Sequence, residues 1–143
     1  MTNKILVSNA IVFAALGVAF AVYGPVTLAF FNVPELEISQ QAYWHLAAFA
    51  RMFGAALFGW GMLLWAASRA FDHLPGAARR SILSAQVLAN LMAGVVALTQ
   101  QSSIWYSLPG WLLSGLFVLL TFVYGALSLY PPGASAHTGG AGE

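Results

Sequence analysis

The sequence predicts an all-α integral membrane protein: a four-helix bundle with antiparallel up-down topology and both termini in the cytoplasm. Of its 143 residues, 60% are hydrophobic and only 6% are charged. The mean hydropathy is +0.79, whereas soluble domains carry about 25% charged residues. Four apolar stretches also approach or exceed the roughly 20 residues that a helix needs to cross a bilayer. These observations predict the fold class.

The four predicted spans lie within residues 1–130, at about 5–31, 43–70, 81–100 and 109–130. In the first span, Gly24-Pro25 predicts a kink or a helix end near the outer face, because proline lacks the backbone N–H that a helix interior uses. Another interpretation is a signal peptide cleaved near Ala19-Phe20-Ala21. The apolar run continues to Phe31, which is longer than the apolar core of a signal peptide and favours a true span.

Charge asymmetry predicts the orientation. The N-terminus and the second connection lie on one side, and they carry Lys4, Arg69, Arg79 and Arg80. Glu35 and Glu37 lie on the other side. Because cytoplasmic connections are enriched in Lys and Arg, both termini are expected in the cytoplasm. Residues 131–143 are rich in Gly, Ala and Ser and are predicted to form a disordered cytoplasmic tail.

Small residues recur at helical spacing in the first two spans. Membrane helices associate through close backbone approach and interhelical hydrogen bonds, so small or polar stripes predict the contact faces. The first span carries Ala10, Ala14, Gly17, Ala21 and Gly24. The second carries Ala47, Gly54, Gly61 and Ser68, interleaved with Trp44, Arg51, Phe58 and Trp65. We expect Phe58 and Trp65 to pack against the small stripe of the first span.

The last two spans carry polar stripes. The third has Gln86, Asn90, Ala93, Ala97 and Gln100, and the fourth has Ser114, Val118, Thr121, Gly125 and Ser128. An amide facing hydrocarbon costs several kcal/mol, so these residues should turn inward and leave bulky aliphatic side chains for the lipid. Asn90 and Thr121 have similar predicted depths, and a hydrogen bond between them is expected.

Arg51 is an intramembrane charge and is therefore a candidate functional residue. Three roles are open: a clamp onto Glu35 or Glu37, extension outward to lipid headgroups, or binding of an anionic ligand. Gln86 and Asn90, one turn apart, either hold helices together or line a polar ligand site. The candidate ligand-binding residues are Arg51, Asn90, Gln86 and Gln100.

Several function classes lack the residues they require. The chain has no Cys, and its three His fall at an interface, in a connection and in the tail. We therefore expect no metal site, no haem and no other cofactor. No acidic residue lies inside a span, which disfavours a proton relay, and no acid–base pair predicts an enzyme. Nothing forms the basic stripe that nucleic acid requires.

Residues 50–61 (ARMFGAALFGWG) and the later Ala78-Arg79-Arg80 resemble small bacterial four-span proteins of the DoxX-like type. The shared feature is an Arg followed by Gly-rich apolar sequence in the second span. The resemblance implies a bacterial plasma (inner) membrane and a family whose members mostly lack an assigned activity. It implies no catalytic residue.

These features leave two main functional hypotheses. The first is a non-enzymatic accessory or scaffold subunit, or a self-associating bundle, whose partners are membrane lipids, a second copy or a larger membrane complex. The second is a binder or carrier of a small hydrophobic or anionic ligand, such as a lipid or a quinone, held between helices near Arg51 and Asn90. An enzyme acting on lipids is a distant third. A cavity of roughly 300 Å³ or more would favour the second hypothesis, and a filled bundle axis would exclude it.

Overall fold

The computed structural model describes residues 2–33 and 39–129. Within these residues the helices are α1 (Thr2–Val22), α2 (Gly24–Phe30), α3 (Gln40–Ala70), α4 (Gly76–Gln100) and α5 (Leu108–Leu129). A 3₁₀ turn at Phe71–His73 follows α3, and a π-helical turn at Gln101–Trp105 follows α4. The predicted acidic connection at Glu35 and Glu37, and the predicted tail at 131–143, lie outside the described residues.

Four helical segments in the described part of the chain are long and apolar enough to cross a membrane: Thr2–Val22, Gln40–His73, Gly76–Ile104 and Leu108–Leu129. The all-α class and the four spans follow from these segments, as expected of an integral membrane protein. Large apolar side chains cover much of the outer surface, and Phe122 and Leu129 are examples. The outward position of bulky apolar residues is thus confirmed in part, because the core also contains large side chains: Leu6, Phe13, Leu64, Leu83, Phe117 and Tyr124.

The first span is broken where Gly24-Pro25 predicts it. Helix α1 ends at Val22 and α2 begins at Gly24, with the proline in its first turn. A first-turn proline is tolerated because its missing N–H has no intrahelical acceptor there. The Thr27 hydroxyl donates to the Gly24 carbonyl oxygen at 2.7 Å. The predicted break is confirmed, and α2 is the short helix that follows it.

Helices α1 and α3 meet along their small residues. A methyl group added to Gly61 would lie 2.8 Å from both the Ala10 carbonyl oxygen and the Ala14 nitrogen. A methyl group on Gly54 would lie 2.7 Å from the Gly17 carbonyl oxygen. The two predicted stripes therefore face each other at backbone contact.

The expectation that Phe58 and Trp65 pack against the small stripe of α1 holds only in part: both lie beside the stripe, but their rings do not enter the interface. Both side chains remain substantially exposed, and they border a surface groove next to the small residues of α1. The physical reason is that small residues on both helices bring the backbones together, and no space remains for an aromatic ring between them.

Helix α4 packs against α5, and its buried residues include Gln86, Asn90, Gly94 and Ala97. The predicted inward position of Gln86 and Asn90 is confirmed. On α5 the buried residues are Gly110, Ser114, Phe117 and Tyr124. Val118, Thr121, Gly125 and Ser128 are only partly buried. The predicted α5 stripe is therefore rotated, because Phe117 and Tyr124 point toward α1.

Side-chain contacts join the α1–α3 pair to the α4–α5 pair. The Asn9 amide Nδ2 donates to the Tyr124 hydroxyl at 2.8 Å, and both residues are buried. The ring centroids of Phe13 and Phe117 are 6.1 Å apart at a tilted angle, a favourable aromatic separation. The two pairs thus meet through long side chains rather than through their backbones.

The predicted hydrogen bond between Asn90 and Thr121 is absent, and that expectation is wrong. Asn90 Nδ2 donates instead to the Gln86 carbonyl oxygen, one turn back, at 2.7 Å. The Thr121 hydroxyl donates to the Phe117 carbonyl oxygen at 2.9 Å. Each polar group finds an acceptor on its own helix, as short polar side chains in helices commonly do.

Candidate functional site

A cavity of about 660 Å³ lies between the two helix pairs. All five helices contribute to its wall, and most of the lining side chains are aliphatic or aromatic. Asn90 and Gln100 provide the two amides of the lining. Small-molecule sites typically enclose about 300–1,000 Å³ of mainly apolar space with a few polar groups. The cavity has the size and composition of such a site.

The cavity has a closed back and an open side. Phe13 of α1 and Phe117 of α5 form the back, and both are almost fully buried. Toward α3 and α4, the lining residues Phe49 and Met92 are 67% and 64% exposed. The opening therefore lies between α3 and α4, where a membrane-embedded bundle borders lipid.

The two ends of the cavity differ in their lining. Phe13, Trp60, Asn90 and Phe117 lie at one end, toward the positively charged side of the bundle. The other end is formed by the α2 region and by the end of α4, with Leu28, Phe31, Val33 and Gln100. Gln100 follows Asn90 by ten positions on α4, which is about 15 Å at helical rise. The cavity is thus an elongated slot along α4.

Asn90 is the buried polar group of this slot, with an exposed fraction of 2%. Its amide nitrogen is committed to the Gln86 carbonyl oxygen. A carbonyl oxygen only accepts hydrogen bonds, so this contact also determines which way the amide points. Asn90 Oδ1 is left buried, and it has no hydrogen-bond partner among the described residues.

An unpartnered buried acceptor destabilises the protein. The usual desolvation cost of such a group is about 1–3 kcal/mol, and buried polar atoms in folded proteins are nearly always partnered. Among the lining residues, Asn90 is the one that carries a buried acceptor without a partner in the described part of the chain.

The structure brings Asn90 and Gln100 together at one cavity and places the other two candidate residues elsewhere. Gln86 is buried one turn before Asn90 but does not line the cavity, and its Oε1 has no partner among the described residues. Arg51 is exposed. Its side chain lies beside Gly24, where an added methyl group would be 3.2 Å from Arg51 Cγ. The proposed clamp partners Glu35 and Glu37 lie outside the described residues.

Sequence reasoning missed Gln101. This residue is 1% exposed, and neither Nε2 nor Oε1 has a partner within the described part of the chain. The predicted stripe has a 3.5-residue period and ends at Gln100. A straight α-helix drifts by about 20° per heptad relative to that period. Toward the end of the stripe, this drift favours burial of Gln101, the residue after Gln100.

Sequence reasoning also missed the bond from Asn9 to Tyr124. Asn9 lies within an apolar span and carries an amide, so the reasoning applied to Asn90 also holds for this residue. An amide in a span needs a partner from another helix or from its own backbone. That signal was present in the sequence, although the identity of the partner was not.

The described residues hold no group of three or more His, Cys, Asp or Glu that is arranged to bind a metal ion. The chemistry of the cavity is that of its apolar wall and of the two amides. Such a wall is suited to the burial of hydrocarbon.

A scan against protein-family models and searches of curated proteins and solved structures find no match to this chain. The resemblance to DoxX-like proteins therefore stays a prediction. A function for this chain has to be inferred from the geometry of the cavity.

Proposed function

We propose that the protein binds a small hydrophobic ligand, which it takes from the lipid phase into the cavity between the α1–α3 and α4–α5 pairs. The observation that supports the proposal is the 660 Å³ apolar cavity with its side opening. A cleft of this volume that opens toward the lipid has room for a hydrocarbon chain.

The proposed orientation places this site in the outer half of the membrane. We propose an antiparallel up-down bundle with both termini in the cytoplasm. Lys4, Arg69 and Arg80, which lie at one end of the bundle, support this orientation through the positive-inside rule. The order of contacts supports only the antiparallel arrangement of α1 and α3, because Gly61 meets Ala10 and Ala14 whereas Gly54 meets Gly17 and Ala21. The ligand would then enter from the outer leaflet.

An accessory or scaffold subunit, or a self-associating bundle, in a bacterial inner membrane is the alternative. It requires a stoichiometric protein partner or a second copy of the chain, and it does not use the cavity. We prefer ligand binding because the cavity exceeds the size that discriminates between the two hypotheses. Binding requires no acid–base pair, so the proposal agrees with a non-enzymatic protein.

The test compares a cavity-filling variant with a matched surface variant on the same helix. Ala93 lines the cavity, and Ala85 is exposed and does not. Native mass spectrometry of the protein purified from its membranes should show a small-molecule adduct on the wild type and on Ala85→Phe. We expect Ala93→Phe to lose this adduct, because the phenyl ring occupies the ligand's space.

A wild-type protein that carries no adduct after extraction, and that binds no added lipid or alcohol, would contradict the proposal. Equal retention of the adduct by Ala93→Phe would also contradict it. Recovery of a stoichiometric protein partner in place of a small molecule would support the scaffold alternative.

A further inference from the structure

Resting on this proposed function, we infer that the ligand is a lipid of a single leaflet, whose acyl chain fills the slot with its methyl end beside Asn90 and its polar head at the Gln100 end. Three features of the slot lead to this inference. They are its depth in the membrane, the apolar surface of its wall and the position of its side opening.

The slot extends from the middle of the membrane to one surface. Asn90 is the central residue of the apolar segment Gly76–Ile104, so it lies near the middle of the bilayer. Gln100 is the last residue of α4, just before the turn toward α5, so it lies near a membrane surface. The distance between them, about 15 Å at helical rise, is about half of the hydrocarbon thickness of a bilayer. The slot therefore has the length of the acyl layer of one leaflet.

The wall offers hydrocarbon rather than hydrogen bonds to a ligand. Nearly all of the surface that it turns toward the slot belongs to apolar atoms. Asn90 adds little to this surface, because its Nδ2 donates to the Gln86 carbonyl oxygen and its Oδ1 is buried. Further along the slot, the Phe20 ring centroid lies 5.5 Å from that of Phe53 and 5.9 Å from that of Phe31. A polar group in the deep end would lose its water without gaining a partner, whereas a methyl end loses nothing.

The side opening allows a chain to enter while its head stays at the membrane surface. Phe49 and Met92, at the opening between α3 and α4, are 67% and 64% exposed. An acyl chain of a neighbouring lipid can therefore move sideways into the slot. The reverse orientation would carry the polar head to the middle of the bilayer, where water is absent and desolvation is costly. The methyl end is thus the deep end of the bound chain.

The test maps the two ends of a bound chain with dodecanoic acid, whose extended chain is about as long as the slot, at about 1.2 Å per bond. One probe carries a photoreactive diazirine at the methyl end, and the other carries it next to the carboxyl group. Each is bound to the wild-type protein and irradiated, and the labelled residues are identified by peptide sequencing. From the methyl-end probe we expect saturable label on Trp60, Ala93 or Phe117. From the carboxyl-end probe we expect it on Phe31, Val33, Leu46 or Gln100.

Matched variants separate label in the slot from label on the lipid-facing surface. Ala93→Phe should lose the saturable label of both probes, whereas Ala85→Phe, outside the slot on the same helix, should keep it. Phe122 is 74% exposed, so its label should be the same in all three proteins. Unlabelled dodecanoic acid and a didodecanoyl phospholipid serve as competitors, and the stronger one identifies the occupant as a free acid or a membrane phospholipid.

The wild-type map decides the orientation by itself, so the test remains decisive if Ala93→Phe does not fold. Label from the carboxyl-end probe on Trp60, Ala93 or Phe117 would overturn the inference. The same distribution of label from both probes would also overturn it.

The outcomes separate the inference from the proposed function. If neither probe gives saturable label, but the wild type carries a native adduct that Ala93→Phe loses, the inference of an acyl chain fails and the ligand site stands. If the wild type carries no adduct and gives no saturable label, the proposed function fails and takes the inference with it.

Discussion

The interface within the α1–α3 pair and the interface between the two helix pairs are built from different residues. Within the pair, Gly54 and Gly61 of α3 lie against the backbone of α1. Between the pairs, an amide–phenol hydrogen bond and two tilted phenyl rings make the contact. At Gly54 and Gly61 the first interface leaves no room for a side chain, whereas the second lies beside the cavity lined by all five helices.

This difference shows how a small membrane bundle can combine close helix contact in one place with open space in another. Small residues on both helices allow dense van der Waals contact, which drives association where the hydrophobic effect is weak. Between the two pairs, long side chains keep the helices apart and make contact at only a few positions. Away from these contacts, the space between the pairs stays open to a ligand.

The largest effect on the free energy of unfolding is expected at the interface between α1 and α3. Gly54→Val places new atoms where the backbone of Gly17 and Ala21 lies, and the helices must separate along their length. We expect the free energy of unfolding to fall by about 3 kcal/mol or more, at the upper end for overpacking. The measurement is an unfolding titration of the protein in mixed micelles.

The matched control is Gly59→Val, on the same helix, where an added methyl group would meet nothing within 4 Å. We expect a change within about 0.5 kcal/mol, as for surface sites. Equal losses for the two variants would mean that helix propensity, rather than close approach of α1 and α3, explains the effect at Gly54.

At the interface between the two helix pairs, we expect a smaller effect on the free energy of unfolding, and of opposite sign. Ala93→Phe fills part of the cavity rather than displacing backbone, and we expect the free energy of unfolding of the delipidated protein to rise by up to about 1 kcal/mol. The same titration measures it, with Ala85→Phe as the reference. A loss as large as that of Gly54→Val would show that the space between the pairs is not available.

The hydrogen bond between Asn9 and Tyr124, which joins the two pairs, should contribute less to the free energy of unfolding. Tyr124→Phe removes the hydroxyl that accepts from Asn9, and interhelical hydrogen bonds in membrane proteins average about 0.6 kcal/mol, with a maximum near 1.7. A double-mutant cycle of Asn9→Ala with Tyr124→Phe measures the coupling directly. Zero coupling would show that this bond does not help to hold the pairs together.

The smallest effect is expected at Arg51, which is exposed beside the start of α2. Arg51→Met keeps an unbranched apolar stem next to Gly24 and removes the charge. We expect the free energy of unfolding to change by less than about 0.5 kcal/mol. A loss above about 1 kcal/mol would instead favour the clamp onto Glu35 or Glu37.

Much of the fold could be predicted from local sequence. The break at Gly24-Pro25 follows from the geometry of proline. The facing of Gly17 and Gly54 follows from the need of membrane helices for close approach. The rotation of α5 did not follow from such rules, because a search for small and polar residues passes over Tyr124, whose hydroxyl is the partner of Asn9.

The candidate site was only partly predictable. Asn90 was identified because an amide in a span must turn inward. The cavity depends on the distance between the helix pairs, which is set by the contacts of Phe13 and Asn9 with α5. Such long-range contacts leave no periodic signal in one sequence. For the same reason, the exclusion of Gln86 and Arg51 from the lining could not be anticipated.

The proposed function depends above all on whether the space between the two pairs holds a ligand drawn from the membrane. The most direct measurement is a cryo-electron microscopy map of the protein bound to an antibody fragment and extracted with its native lipids. We expect elongated density that enters between α3 and α4, near Phe49 and Met92, and ends at Asn90. Helices α3 and α4 packed against each other, with side chains filling the space next to Asn90, would contradict the proposal.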